Sequence, residues 1–195
     1  MTTTLAVVRG TISSVAFESG DRFVVGNWAS SPIGRLADVM WVDADGRRTL
    51  LTTDECAAEF IQAIYRFDDV RLGPLEIDGD TRRTEVLGHG VAITLHGGRR
   101  RPVPFPRPRW LTRWVEAPIA RRLMGVETHG LSPTGVREWY QTTGWCWIER
   151  AIGTRDGNDL GAMCPIERPL GVGFSDPPAR PSIVGVRVTI DGIGS

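Results

Sequence analysis

The chain contains no lysine, and all 23 of its basic side chains are arginines. Enzymes that form a Schiff base with a carbonyl substrate need a lysine amine, and the phosphate-binding loop of many nucleotide hydrolases also carries a lysine. Arginine cannot replace that amine as a nucleophile, because its guanidinium group keeps its proton in proteins. The composition therefore excludes Schiff-base catalysis and a phosphate-binding loop of that type.

Signals for export, membrane insertion and metal binding are also missing. The first residues, MTTTLAVVRG, contain no charged leader followed by a long apolar run, and no run approaches the roughly 18 apolar residues of a spanning helix. The three cysteines are far apart in the sequence, and no two of them have the C-x-x-C spacing of a metal site. His89 and His96 are expected on opposite faces of one strand, so they cannot bind one metal ion together. We therefore expect a cytoplasmic protein with no metal site and no cofactor.

The composition is typical of one folded domain that is rich in strands. Hydrophobic residues make up 41% and charged residues 24% of the chain, as in globular proteins. The 23 glycines and 13 prolines suit many short strands joined by turns. A formal net charge of zero attracts nucleic acid weakly, so no nucleic-acid partner is expected. We treat residues 1–195 as a single β-rich domain.

The first half of the chain predicts hairpins followed by a helix. Apolar runs flank turn-forming residues at 19–21 and 43–46. Thr52 precedes Glu55 by three residues, which is the spacing of a capping box, and apolar residues then recur at helical spacing. We expect a helix near 53–66 with one face packed on a sheet.

The second half predicts more strands around one basic segment. Residues 99–109 form a connection rich in proline and arginine, and the stretch over 110–124 has the apolar stripe of a second short helix. In total we expect about eleven antiparallel strands, enough for a barrel, a cone or two packed sheets. In layout alone this resembles lipocalin-type barrels and the β-cone of acetoacetate-decarboxylase-like proteins, although the missing lysine excludes the Schiff base of that decarboxylase.

The meander over 126–166 suggests one specific geometry. If residues 143 and 144 form a two-residue turn, Arg137 lies directly opposite Arg150 on an apolar face. Two facing guanidinium groups repel each other, so either solvent reaches both at the rim of the sheet or an anion lies between them. That anion would be an internal acid such as Asp38 or the acidic end of an apolar ligand. The predicted ligand-binding residues are Arg137, Arg150, Trp139, Ile148, Met163 and Asp38.

The other face of this meander carries His129, Glu138 and Tyr140, with Glu149 farther along. These residue types can exchange protons with a substrate when they line a cavity. In most antiparallel sheets, however, such a polar face simply meets solvent. His129, Glu138 and Tyr140 are therefore candidate catalytic residues, and the solvent-facing alternative stays open.

The segment from Arg99 to Arg122 contains eight arginines and one acid, Glu116. A basic stretch that ends in a Trp-containing amphipathic helix is typical of a peripheral contact with a membrane or with another anionic partner. The alternative is that the tryptophans pack on the sheet while the arginines stay in water.

Three functions follow as hypotheses. The first is a small-molecule-binding, β-barrel-like protein whose ligand is apolar with an anionic end held by arginines. The second is an enzyme that uses the His/Glu/Tyr face for proton transfer. The third is an interaction module that docks through residues 99–122. A pocket on the Trp139 face would favour the first function, and a pocket on the Glu138 face the second.

Overall fold

The computed structural model describes residues 5–103, 129–173 and 175–192, and these residues form fourteen strands and one helix. The elements in chain order are β1 (Leu5–Phe17), β2 (Arg22–Ser31), β3 (Gly34–Val42), β4 (Arg48–Thr52), α1 (Glu55–Gln62), β5 (Asp69–Leu72), β6 (Leu75–Gly79), β7 (Arg83–Gly88), β8 (Val91–Gly97), β9 (Arg101–Pro102), β10 (His129–Leu131), β11 (Arg137–Arg155), β12 (Asn158–Asp159), β13 (Met163–Cys164) and β14 (Ser182–Asp191).

All of these strands belong to one sheet, whose main path has the order β5-β4-β3-β2-β1-β14-β11-β8-β7-β6. The short strands β9, β10 and β12 pair with β11, and β13 pairs with β1. Neighbouring strands are antiparallel except β4 and β5, which are parallel. The prediction of a β-dominated, mainly antiparallel fold is confirmed. The sheet is mixed and open, however, so the prediction of a closed barrel is wrong.

The described residues contain one helix, where two were predicted. The second predicted helix, over 110–124, and residues 104–109 of the preceding connection lie outside the described residues. No helix within the described ranges is long and apolar enough to cross a membrane.

The positions of the two hairpins in the first half of the chain follow from glycines in their turns. Gly20 and Gly46, in the two predicted turns, both have a φ of 90°, a conformation that glycine adopts without steric cost. Across these turns β1 pairs with β2, and β3 pairs with β4. The predicted turns at 19–21 and 43–46 are therefore confirmed.

The helix α1 begins later than the predicted capping box implies. Its N-cap is Asp54, whose carboxylate accepts a hydrogen bond from the Ala57 N–H. Thr52, the residue expected to cap it, is the last residue of β4 and donates its hydroxyl proton to a carbonyl of β3. Sheet pairing engages Thr52, and the Thr53 hydroxyl donates to the Asp54 carboxylate. Asp54 is therefore the residue whose side chain caps the helix.

The hairpin predicted at residues 143–144 does not exist. The strand β11 is continuous over 19 residues and pairs first with β14 and then with β8. A register shift at the predicted turn marks a bulge, which a Thr-Gly pair also permits. The neighbouring strands β14 and β8 supply backbone hydrogen-bond partners to an extended β11, so residues 143–144 form a bulge and not a turn. Arg137 and Arg150 lie on the same strand and cannot face each other.

The short strands β12 and β10 pair with the two ends of β11. Thr154 of β11 pairs with Asp159 of β12. In β10, His129 lies opposite Trp139, one residue away from the pairing with Glu138 that would place His129 on the predicted face. This shift of one residue places His129 on the other face of the sheet from Glu138.

The sheet buries apolar residues on both faces. We call one the helix-side face, because α1 and residues 166–172 cover it; its core includes Val8, Met40, Val186 and Val188. We call the other the far face, where β6 folds back against β2 and β3; its core includes Phe23, Val39, Leu95 and Ile183. Burial on both faces explains why several strands are apolar without strict alternation.

Candidate functional site

Two carboxylic acids are buried on the helix-side face. Asp38 in β3 is 1% exposed, and Glu138 in β11 is 0% exposed. Leu36 and Met40 are each two residues from Asp38 in β3, so they lie on the same face of the strand, and both belong to the helix-side core. Burial among apolar side chains strongly disfavours an ionised carboxyl group, so each acid needs a physical explanation.

Glu138 forms a hydrogen-bonded triangle with two tyrosines, which we call the acid–phenol triangle. The hydroxyl of Tyr65, three residues beyond α1, donates to Glu138 Oε2 at 2.7 Å. The hydroxyl of Tyr140, two residues along β11, is 3.0 Å from the same oxygen. The two phenol oxygens are 2.5 Å apart.

Hydrogen bonds from the turn before β11 to the residues after α1 position the members of the triangle. The Thr134 hydroxyl lies 2.7 Å from the Ala63 carbonyl oxygen and 3.0 Å from the Ile64 carbonyl oxygen. These two carbonyls immediately precede Tyr65 in the chain. The segment that carries Tyr65 is therefore held beside the strand that carries Glu138 and Tyr140.

The number of protons in the triangle indicates its protonation state. Three oxygen–oxygen contacts need three protons, and two neutral phenols supply two of them. Burial raises the pKa of Tyr65 and of Tyr140 well above the usual value, so both phenols keep their protons. The third proton then belongs to Glu138, whose pKa burial raises to about 7 against the opposing effect of the two phenol hydrogen bonds.

Asp38 is held by one hydrogen bond, which its Oδ1 accepts from the Trp28 indole N–H at 2.7 Å. Gly26 makes room for this bond, because a β-carbon at that position would overlap both the carboxylate and the indole nitrogen. Burial raises the pKa of Asp38 to about 7, and the Trp28 hydrogen bond opposes that shift. Asp38 is thus a second acid that titrates near neutral pH.

The two acids belong to one electrostatic site. The charge of Asp38 contributes to the raised pKa of Tyr140, so these side chains interact. Asp38 Oδ2 and Glu138 Oε1 are buried and have no hydrogen-bond partner among the described residues. Tyr65 and Tyr140 are only half-buried, so the triangle is not sealed from its surroundings. Such a set can both donate and accept protons near pH 7.

The predicted pairing of Arg137 with Arg150 is wrong. Both side chains are exposed, and their backbone partners are Asp191 and His96 respectively. The Arg137 guanidinium lies 5.8 Å from the centre of the Trp139 ring. The expected anion between the two arginines has no geometric basis, because a continuous β11 carries them far apart along one strand.

The other predicted ligand-binding residues do not form one group. Ile148 is buried in the far-face core, and Met163 packs against that core. Trp139 is half-buried beside Arg137. Asp38 lies on the helix-side face, where it accepts from Trp28 rather than from an arginine.

Of the predicted acid–base residues, Glu138 and Tyr140 lie together, whereas His129 lies on the opposite face of the sheet. Glu138 and Tyr140 are together, but the expectation that their face meets solvent is wrong, because Glu138 is fully buried. His129 is on the other face, and Glu149 is exposed. No cluster of three potential metal ligands occurs within the described ranges.

Sequence reasoning missed Tyr65 and Trp28, the two side chains that hold the acids. Tyr65 is 73 residues from Glu138 in the chain, and nothing in the local sequence of α1 indicates the contact. Trp28 and Asp38 lie on neighbouring strands of a predictable hairpin, and Gly26 opposite Asp38 is the signal that could have revealed them. A glycine within a buried strand often marks a close approach of other groups.

Of the segment over 99–122, the structure describes residues 99–103. Arg99, Arg100 and Arg101 are exposed. The Arg101 guanidinium lies 4.6 Å from the centre of the Trp145 ring. The rest of this predicted docking segment lies outside the described residues.

Comparison with known proteins finds little similarity. No protein family and no curated protein matches the sequence. Two solved structures overlap with 98% of this chain: the enduracididine biosynthesis enzyme MppR with the condensation product of pyruvate and imidazole 4-carboxaldehyde, and the same enzyme with HEPES buffer. The TM-scores are 0.40 and 0.39, the identity is 8% in both, and 87% and 85% of those chains are covered. Overlap of this extent does not establish a shared activity.

Proposed function

We propose that the protein binds a small carbonyl compound at Asp38 and the acid–phenol triangle and moves a proton on the carbon next to the carbonyl group. One observation carries the proposal. Two buried carboxyl groups with a pKa of about 7 share a face with two phenols, and each has one oxygen without a partner among the described residues. Burying a carboxyl group destabilises the folded protein, and buried acids with a shifted pKa occur most often at functional sites.

The triangle is suited to binding the carbonyl oxygen. A protonated carboxyl and a phenol in an apolar site are strong hydrogen-bond donors to an oxygen that gains negative charge, and a bound carbonyl oxygen would accept one of their protons in place of a hydrogen bond within the triangle. Glu138 keeps its proton up to about pH 7, and Tyr140 keeps its proton well beyond that. Either donor would stabilise an enolate oxygen more than the neutral carbonyl, which is what lowers the barrier.

Asp38 is suited to the role of base. When ionised, it accepts the proton as the carbon–hydrogen bond breaks, and the electron pair moves onto the carbonyl oxygen held by the triangle. Return of the proton to the same or another carbon completes the step and leaves the protein unchanged. The pKa of Asp38, about 7, matches a base that must both take and release a proton at neutral pH. No covalent bond to an amine is involved, which agrees with the absence of lysine.

The test is hydrogen–deuterium exchange at the carbon beside the carbonyl, followed by proton NMR in D2O. Cyclohexanone and phenylacetone serve as substrates, because an apolar surrounding favours small apolar ketones. We expect faster exchange with the wild type than in buffer. Asp38→Asn should remove about a hundredfold or more of the acceleration, as loss of a general base does.

Two further variants separate catalysis from general damage. Glu138→Gln should weaken exchange strongly, because an amide replaces the donor of the triangle. Glu149→Gln changes an exposed carboxyl on the same strand and should leave exchange unchanged. If no ketone exchanges faster than in buffer, or if Asp38→Asn exchanges like the wild type, the proposed function is wrong.

A second candidate function rests on a separate surface. Trp145 and Trp147 meet edge to face with ring centres 4.7 Å apart, and the guanidinium groups of Arg101 and Arg180 lie over their rings at 4.6 and 5.0 Å. Arg100 is exposed, and its guanidinium lies against Gly144, the residue before Trp145. No carboxylate of the described residues forms an ion pair with these arginines. Exposed arginine with tryptophan suits contact with an anionic membrane surface.

Sedimentation with lipid vesicles tests this second candidate. The protein should sediment with vesicles that contain phosphatidylserine and not with phosphatidylcholine alone. The double variant Arg100→Ala/Arg101→Ala should lose that binding, while Arg35→Ala/Arg66→Ala, which removes two exposed arginines elsewhere, should keep it. Equal binding to both kinds of vesicle would contradict an electrostatic contact.

A further inference from the structure

Two arginines stand side by side on the far face of the sheet. Arg9 in β1 and Arg187 in β14 are backbone partners, and Gln141 in β11 is the next partner in the same row. Val186 and Val188, on either side of Arg187, both belong to the helix-side core. Alternation therefore points Arg187 to the far face, and directly opposed side chains start only about 5 Å apart.

Neither arginine has an anionic partner within the described part of the chain. Among the described residues, no ion pair or hydrogen bond involves either guanidinium group, although Arg187 is half-buried. The Arg187 Nε atom is buried and has no hydrogen-bond partner in that part of the chain. Asp191, the nearest acid along β14, lies four residues away, or about 13 Å along an extended strand.

This arrangement is unfavourable for an isolated protein. Like charges directly opposite each other in a sheet destabilise it, and burial of part of a guanidinium group adds a desolvation cost. A lysine or histidine could relieve such a cost by losing its proton, but an arginine cannot. An anion that both arginines bind would remove the repulsion and would satisfy donors that have no acceptor among residues 5–103, 129–173 and 175–192.

We propose that Arg9 and Arg187 form a binding site for an oxyanion, the carboxylate or phosphate group of a small molecule. Guanidinium groups match both anions, because each presents pairs of parallel N–H donors. Val7 lies two residues before Arg9 on the same face and is half-buried, so it offers apolar contact to the remainder of such a ligand. This site is on the opposite face of the sheet from the acid–phenol triangle and does not depend on the function proposed there.

Calorimetric titration with two probes tests the site: inorganic phosphate and hexanoate, each at constant ionic strength set with sodium chloride. We expect saturable binding of at least one probe by the wild type. A preference for phosphate would indicate a phosphorylated ligand, and a preference for hexanoate would indicate a carboxylate with an apolar chain. Absence of saturable binding of both probes would overturn the proposal.

Variants locate the binding and separate it from folding. Arg187→Met and Arg9→Met should each weaken binding at least tenfold, whereas Arg150→Met, an exposed arginine elsewhere, should bind like the wild type. In buffer without either probe, Arg187→Met should melt at the same temperature as the wild type or higher, because the repulsion is gone. If it melts clearly lower while Arg9→Met binds normally, Arg187 has a structural role and the proposal is wrong.

Discussion

Asp38→Asn and Glu138→Gln should each remove a part of the pH dependence of stability. Burial raises the pKa of Asp38 from 3.8 and that of Glu138 from 4.5, in each case to about 7. The unfolded chain therefore loses these protons at lower pH than the folded protein does. Where the folded state binds more protons than the unfolded state, stability falls as pH rises, and the loss is complete above the folded pKa.

The magnitude follows from the size of the shifts. One pKa unit corresponds to about 1.4 kcal/mol, so each acid should lower the free energy of unfolding by about 3 kcal/mol between about pH 4.5 and pH 8. That is a large share of the roughly 5–15 kcal/mol that stabilises a typical domain. Asp68, whose pKa is lowered by its bond to Arg48, contributes in the opposite direction but only at more acidic pH.

Urea unfolding followed by tryptophan fluorescence at both pH values measures the effect. The wild type should be less stable at the higher pH, and each single variant should show a difference smaller by about 3 kcal/mol. Glu149→Gln, in an exposed position, should keep the wild-type difference. Parallel pH profiles for the wild type and both variants would refute the conclusion that the folded protein holds these protons.

Two other changes test the contacts that position the acids. Tyr65→Phe removes one donor from Glu138 and should cost about 1–2 kcal/mol in urea unfolding while raising the pKa of Glu138 further; an unchanged pKa in a carbon-13 NMR titration would contradict the triangle. Gly26→Ala should destabilise the protein by about 1–3 kcal/mol through overpacking, and less in a Trp28→Phe background, because the clash with the indole nitrogen is relieved while the clash with the Asp38 carboxylate remains. Equal costs in both backgrounds would mean that Gly26 acts on something else.

Those parts of the fold that depend on neighbouring residues could be predicted. The turn at 43–46 and the region of α1 follow from glycine conformation, capping and helical periodicity, all of which act within a few residues. The continuous β11 could not be predicted in this way. Whether residues 143–144 form a turn or a bulge depends on the strands that lie on either side, and β14 and β8 come from distant parts of the chain.

The candidate site was predictable only in part. Glu138 and Tyr140 were grouped correctly, because residues two apart in a strand share a face whatever the pairing. His129 was added wrongly, since a one-residue error in register moves a side chain to the other face. Asp38 was named as a partner for arginines, whereas its hydrogen bond comes from Trp28.

Composition and the alternation of apolar residues were enough to predict a protein built mainly of antiparallel strands, in whose chemistry no lysine takes part. Both are properties of the chain that do not depend on how its strands are arranged. Which face of β11 is buried follows instead from long-range packing, and so do the raised pKa of Glu138 and its contact with Tyr65. Desolvation and hydrogen bonding depend on every group that surrounds an acid in space, and for Glu138 the decisive neighbour comes from 73 residues away.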